Sequence, residues 1–152
     1  GGAGSPVSAA LAKGAVVTGI DVRAVNSVGT SAISNVVGTT TLNVPLPVSN
    51  LALGAVSSTT VPLSWTAPSQ DSRVVITGWR VRYTVDGVSH AAVLTGSSAS
   101  GFIIGGGTGS PASAPLPLGA VVSDIAVRAV NSVGVALISN VLSTTTLSVV
   151  PS

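Results

Sequence analysis

The sequence predicts an all-β protein, an antiparallel sandwich of two sheets, and three observations lead to this prediction. Short runs of β-branched and other apolar residues alternate with polar ones, and Gly, Pro, Asn and Asp separate the runs at short spacing. No window carries a sustained 3.6-residue apolar period with helix caps, so almost no helix is expected. About seven such runs fall within roughly a hundred residues, which is typical of a two-sheet sandwich.

A long internal repeat divides the chain. The eight residues 22–29 recur as residues 127–134. Shifting the chain by 105 residues aligns residues 1–44 with residues 106–149 without a gap, and 30 of the 44 positions are identical. A repeat of this size predicts a tandem array, with one complete unit preceded by the last part of another. Units of this kind usually span, display or assemble rather than catalyse.

The domain boundaries follow from the repeat. Pro45-Leu46-Pro47 is the expected linker, because proline stiffens a connection. Residues 1–44 are expected to hold the C-terminal strands of a partial unit, residues 48–149 a complete domain, and residues 150–152 a tail.

The partial unit needs a cover for its apolar face, which includes Ile20, Val22, Ala24 and Ile33. We expect that cover to come from outside the 152 residues or from the complete domain. An upstream front half on the same polypeptide is the favoured source, and strands added from another chain are the alternative.

Alternation places the seven strands of the complete domain. They are expected, in order, at residues 49–56, 60–65, 76–85, 88–94, 101–104, 121–130 and 136–145.

Two of these strands carry further information. In the second, Pro62 cannot donate to a ladder, which predicts an edge position or a bulge. In the third, Trp79, Val81 and Tyr83 face one side and Arg80 and Arg82 the other, and the following Asp86-Gly87 is a strong two-residue hairpin signal.

Several segments together resemble a fibronectin type III domain. They are residues 47–51, 61–68, 76–83 and 127–134, followed by Ser139-Asn140-Val141 and Thr144-Thr145. The resemblance covers residues 47–147 as a whole domain and residues 1–42 as the last three strands of another. It implies an immunoglobulin-like sandwich with a core that includes Trp65, Trp79, Val81, Tyr83, Ile125 and Val127.

The chain departs from the family in one loop. The family usually has a Tyr near the start of the sixth strand, whose hydroxyl ties a loop down, whereas here the nearest positions are Val122 and Ser123. The loop after Ile104 is also long and rich in Gly and Pro, which predicts a flexible connection. It is not a phosphate loop, because no helix signal follows it. Losing a buried aromatic costs about 3–5 kcal/mol, so another source of stability is expected, and burial between subunits is one candidate.

Composition excludes several classes of function. Charged residues are 7% of the chain, against roughly 25% in ordinary soluble domains. One Lys and five scattered Arg are too few for a nucleic-acid surface. The absence of Cys removes disulfides and thiolate metal sites, and no apolar run approaches the ~20 residues of a membrane span.

Catalysis and a cofactor are not expected either. His90 lies close to Asp86 on one hairpin, whereas a nucleophile triad needs groups that converge from different elements. The other acids, Asp21, Asp71 and Asp124, are scattered over separate strands and turns.

The outward arginines are the remaining candidate site. Alternation turns Arg80, Arg82 and Arg128 outward, and the resemblance implies that their strands are neighbours, with Arg23 repeating Arg128 in the partial unit. An ordinary solvated sheet face explains them. The sharper hypothesis is a basic stripe that docks a neighbouring subunit or an anionic glycan, for which the planar guanidinium is well suited.

Together these observations favour a non-enzymatic structural or assembly module that is extracellular, on the cell surface or virion-associated. It would be a repeat subunit of a filament, sheath, tail or surface fibre whose partners are copies of itself or neighbouring repeats. The alternative is a spacer or glycan-contacting module of a larger secreted enzyme.

Overall fold

The structure is a computed structural model that describes residues 8–107 and 109–148. It contains two compact units, Gly1–Asn43 and Val44–Ser152, so the division falls just ahead of the proline segment, in which Pro45 is buried. The described residues contain strands and no helix, as the alternation predicts. The strands are β1 Val16–Ile20, β2 Val37–Thr40, β3 Ala52–Leu53, β4 Val61–Ser64, β5 Gly78–Val85, β6 Val88–Thr95, β7 Gly101–Ile104, β8 Val121–Val130 and β9 Leu142–Thr145.

The second unit is a sandwich of two antiparallel sheets. One sheet has the strand order β3-β4-β7 and the other β6-β5-β8-β9. The alternating residues of each strand place one apolar row inside, and these rows form a single buried cluster. Trp79, Val81, Ile125 and Val127 lie at its centre with at most 1% of their surface exposed, and Trp65 and Tyr83 belong to the same cluster.

The β5–β6 hairpin turns as the sequence predicts. Asp86 and Gly87 have φ values of 46° and 86°. Positive φ at both central residues matches the right-handed twist of the strands that they connect, and Asp-Gly tolerates it well. The turn aligns Val85 with Val88 and so fixes the register of the whole hairpin.

Two predicted strands are shorter than expected, because side chains replace ladder bonds. Residues 49–56 form only β3, since the Asn140 amide bonds both backbone groups of Leu51 at 2.9–3.0 Å. Residues 136–145 form only β9, since the Val127 N–H donates to Ser139 Oγ instead of a carbonyl.

Pro62 lies on a central strand, so the predicted edge position or bulge is wrong. It stands opposite Ile103 in the ladder between β4 and β7. Its backbone faces the other way, towards the end of β3, where its carbonyl accepts a bond from the Gly54 N–H at 2.9 Å. Because β3 ends there, the missing proline N–H removes only the last possible hydrogen bond between β3 and β4.

The long loop is anchored within the domain by Ser113, which is buried. Its Oγ lies 3.0 Å from the Tyr83 hydroxyl and accepts a bond from the Gly105 N–H at 2.6 Å. Ser110 and Val93 exchange two backbone bonds that fasten the loop to the edge of β6. Tyr83 on β5 therefore ties down this loop, a role that the family gives to a tyrosine near the start of the strand that is β8 here.

The first unit contains an antiparallel pair, β1 and β2, with Val16 opposite Thr40 and Ile20 opposite Val37. Residues 8–43 thus hold two described strands, not the three that the resemblance implies. The reason is the phase of the repeat: the aligned stretch begins at Gly106, after β7 has ended at Ile104, so only β8 and β9 have counterparts.

Candidate interaction surfaces

The arginines of the second unit lie on one sheet. Arg80 stands directly opposite Arg128 in the ladder between β5 and β8, and Arg82 is two residues further along β5. Arg80 and Arg82 are exposed and Arg128 is half-buried. Like charges directly opposite each other in a sheet are destabilising, and none of the three forms an ion pair with a carboxylate of the described residues. An anionic partner would relieve this repulsion.

Arg23 is the counterpart of Arg128 in the first unit, where it is exposed. Among the described residues, β1 pairs only with β2, so no described strand lies opposite Arg23 as β5 lies opposite Arg128. Arg80, Arg82 and Arg128 therefore form one group within the second unit, and Arg23 belongs to the first unit.

His90 and Asp86 have structural roles in the hairpin. The exposed His90 ring stacks on Tyr83, its partner across the strands, at a centroid distance of 5.2 Å and an interplanar angle of 13°. The Asp86 carboxylate accepts a bond from the Val121 N–H at 2.9 Å.

The remaining acids are dispersed. Asp71 forms an exposed ion pair with Arg73 at 2.6 Å, and hydrogen bonds from Arg73 hold the pKa of that carboxyl at about 2. Asp124 lies 3.4 Å from the Thr84 hydroxyl, and Asp21 is exposed in the first unit. Within residues 8–107 and 109–148, no three acids, His or Cys come together as metal ligands would. The same residues include no helix long and apolar enough to cross a membrane.

A second surface emerges from the repeat itself. We call β1 and β2 the open strand pair and β8 and β9 the covered strand pair. Their registers match at a shift of 105 residues: Val16 pairs with Thr40 as Val121 pairs with Thr145, and Ile20 with Val37 as Ile125 with Leu142.

The two pairs share fine details of backbone conformation. Both contain one extra residue in the longer strand, Gly19 at φ 63° and Asp124 at φ 51°. Such a bulge needs a left-handed residue, which Gly adopts without strain and Asp with little. The Ala15 N–H donates to Thr41 Oγ1 at 2.8 Å, and the Ala120 N–H donates to Thr146 Oγ1 at 2.7 Å.

The pairs differ in burial. Ile20 is 37% exposed and Val22 is 71% exposed, whereas their counterparts Ile125 and Val127 are 0% exposed. The covered pair packs against the apolar row of the preceding residues 48–104, which we call the front segment. The open pair presents the same side chains to solvent.

Sequence reasoning identified the apolar face of the first unit but missed the polar residues that shape it. Ser34 and Ser139 each accept a bond from the valine N–H opposite at 2.9 Å, at Val22 and Val127. Their identity in both copies was the available signal, because polar residues that recur at equivalent places in a repeat usually bond the backbone there.

The strand arrangement defines a fibronectin type III-like β-sandwich. Among solved structures, the chain is similar to the chicken CNTN1 FN1-FN3 domains, with 17% identity and a TM-score of 0.55 over 90% of this chain and 44% of that one. This chain thus spans less than half the length of that structure.

Two other solved structures show the same fold. A computationally redesigned β-sandwich protein has 19% identity and a TM-score of 0.51, over 67% of this chain and 95% of that one. A structure described as a myokine has 12% identity and a TM-score of 0.54, over 68% and 98%. No family model and no curated protein matches the sequence.

Proposed function

We propose that the chain is a structural module, a repeat subunit of an extracellular filament, sheath or virion appendage such as a tail or surface fibre. One observation carries the proposal, the scarcity of charge on a surface rich in large apolar side chains. The sequence has ten charged residues, and twenty large apolar residues are exposed among those that the structure describes. Where such residues are contiguous, exposed apolar surface marks sites of protein association.

The low charge fits close packing better than it fits a free soluble domain. Mixed surface charge keeps small domains apart in solution, and net charge here is only +2. The partners that fit best are copies of the chain or neighbouring repeats, since a Val, Ala, Ser and Thr surface can pack against itself without desolvating ions.

Assembly of the purified chain tests this proposal. We expect light scattering to show association that grows with concentration, and electron microscopy to show elongated particles. Val88, Val121 and Leu137 are exposed on the second unit, so replacing all three with Lys should abolish association. The control replaces Ser89, Ser98 and Ser132, which are also exposed, with Lys and adds the same charge. A chain that stays monomeric at all concentrations, or two variants that behave alike, would contradict the proposal.

The arginine group favours a second candidate, a module of a larger secreted enzyme that contacts an anionic glycan. Its support is the direct opposition of Arg80 and Arg128 without an ion-paired acid in the described residues. Retention on a sulfated polysaccharide matrix should then fall in the Arg80→Gln, Arg128→Gln double variant. It should change little in Arg73→Gln, where the lost charge already has a partner. Equal retention of the two variants would remove this candidate.

A further inference from the structure

The open strand pair keeps the residues that its copy buries. Among the described residues from 106 to 148, twelve are buried, and ten of them are identical at the aligned positions of the first unit. None of the twelve counterparts is buried. The face of the open pair is therefore that of a sandwich half without its second sheet.

The two counterparts that are not identical, Ser31 and Asp21, could also be buried under a second sheet. Ser31 replaces the buried Ala136, and its hydroxyl already accepts a bond from the Ala24 N–H and donates one to the Ala32 carbonyl. A hydroxyl satisfied in this way can be buried at little cost. Asp21 replaces Ala126, which stands directly opposite Arg82 of β5. A strand like β5 laid along β1 would place an arginine opposite Asp21, and opposite charges across two strands attract.

The strand β1 is also shorter than its copy β8. Residues 22–29 and 127–134 are identical, yet β1 ends at Ile20 while its copy β8 continues to Val130. The difference is the neighbour, because β8 pairs with β5 along that stretch, whereas β1 has no such partner among residues 8–107 and 109–148. Asn35 likewise keeps the amide with which Asn140 bonds the backbone of Leu51 in the front segment.

We propose that the open strand pair is the docking surface for a second front segment, a five-strand polypeptide of the kind formed by residues 48–104. Its β5-like strand pairs with the free edge of β1, and its apolar row covers Val17, Ile20, Val22 and Ala24. The inference deepens the proposed assembly role and rests on it, because it names the partner that extends the array.

The repeat favours a front segment of the same polypeptide as the occupant. The described residues hold two strand pairs and one front segment, which is already engaged with its own covered pair. Exchange between copies would therefore leave one pair uncovered for each one covered. In the second unit, the front segment leads directly through Gly105 into Gly106, and Gly1 is the aligned counterpart of Gly106.

An extended chain tests the inference. A copy of residues 44–105 is joined ahead of Gly1 of the full chain, and single introduced thiols report exposure because the sequence has no cysteine of its own. The reporter is Val22→Cys. Ser27→Cys is the matched control, since Ser27 and its counterpart Ser132 are both exposed, and Val127→Cys gives the rate of a covered site.

We expect the extension to slow labelling of the Val22→Cys variant by about a hundredfold or more, towards the rate of the Val127→Cys variant, because a covered side chain reacts only when the fold opens. The labelling rate of the Ser27→Cys variant should stay within about twofold. An extension that carries Val81→Asp cannot pack its apolar row and should leave the thiol at position 22 fast to label.

Three results would overturn the inference. The first is that the thiol at position 22 labels equally fast with and without the extension, although fluorescence shows that the tryptophans of the extension are buried. That thiol is slow to label in the unextended chain and becomes fast on dilution, which would make a second copy the occupant. The Val81→Asp extension protects the thiol as well as the intact one does.

The same experiment separates this inference from the proposed function. If the unextended chain assembles but the intact extension leaves the thiol at position 22 fast to label, the proposed function stands and this inference fails. If the extension protects that thiol and nothing assembles, the docking surface stands and the assembly role fails.

Discussion

The covered and open strand pairs are nearly the same sequence in two environments. Both form the same register, the same bulge and the same hydrogen bond from a valine N–H to a serine Oγ. Only the covered pair meets a second sheet, and there Ile125 and Val127 are fully buried while Ile20 and Val22 are not. Local sequence thus sets the conformation of the pair, whereas stability must come from the surface removed from water. Burial of large aliphatic side chains contributes about 1.5–3 kcal/mol each.

The largest effect on stability is expected from a substitution in the front segment, which covers the strand pair β8 and β9. Trp65 packs against Trp79 with ring centroids 5.6 Å apart in the buried cluster. Trp65→Ala should lower the free energy of unfolding of the second unit by about 3–5 kcal/mol, the range for large aromatic truncations. Urea unfolding followed by Trp79 fluorescence measures this. A loss below about 1 kcal/mol would mean that the front segment does not hold the covered pair.

Matched truncations compare the two pairs directly. Ile125→Ala should cost about 2–5 kcal/mol in the unfolding free energy of the second unit, because it opens a cavity. Ile20→Ala, the same change in the open pair, should alter that free energy by no more than about 0.5 kcal/mol. Both tryptophans lie in the second unit, so their fluorescence reports on it alone. Equal costs for the two variants would contradict the comparison.

The hydrogen bonds of Ser113 that anchor the long loop should have a smaller effect on stability. Ser113→Ala leaves the Tyr83 hydroxyl and the Gly105 N–H without their buried partner and should cost about 1–3 kcal/mol. Tyr83→Phe keeps the serine bonded to Gly105 and should cost about 0.5–1.5 kcal/mol. Ser8 is the exposed counterpart of Ser113, so Ser8→Ala should have almost no effect on thermal unfolding. A Ser8 effect as large as that of Ser113 would show that the loop tie does not depend on burial.

How much the sequence could predict follows the same division between local and distant contacts. Alternation alone places β8 at residues 121–130 and the hairpin at Asp86-Gly87, because both depend on neighbouring residues. Fold class and the fibronectin type III likeness follow from the same patterns. The prediction for Pro62 is wrong because its position depends on the two strands that flank β4: β3 ends beside Pro62, and β7 lies on the other side with Ile103 opposite Pro62.

The candidate surfaces could be predicted less completely. Alternation gives the outward direction of each arginine and the family resemblance gives the neighbouring strands, but the opposition of Arg80 and Arg128 depends on a register that no local pattern fixes. The Tyr83–Ser113 bond joins residues 30 apart and has no sequence signature. The exposed face of the first unit is visible in the repeat, whereas the matching hydrogen bonds and the free edge of β1 need coordinates.

The smallest effect on stability is expected from the exposed ion pair of Asp71 and Arg73, which lies outside both strand pairs. Hydrogen bonds from Arg73 lower the pKa of Asp71 from 3.8 to about 2, so this pair contributes stability above pH 3.8 that is lost as the pH falls towards 2. The pair is exposed, so the change in stability should be slight. An NMR titration of Arg73→Gln should return the Asp71 pKa towards 3.8. An unchanged pKa would show that Arg73 is not its cause.

Amide hydrogen exchange at Val22 and Val127 tests the central comparison most directly. Each N–H donates to a serine Oγ at 2.9 Å, so the two bonds match and only the cover differs. We expect Val127 to exchange at the rate of global unfolding of the second unit, and Val22 about a hundredfold faster or more, through local opening. Equally slow exchange at both amides in the isolated 152-residue chain would contradict the account, because the open pair would then be stable without a second sheet.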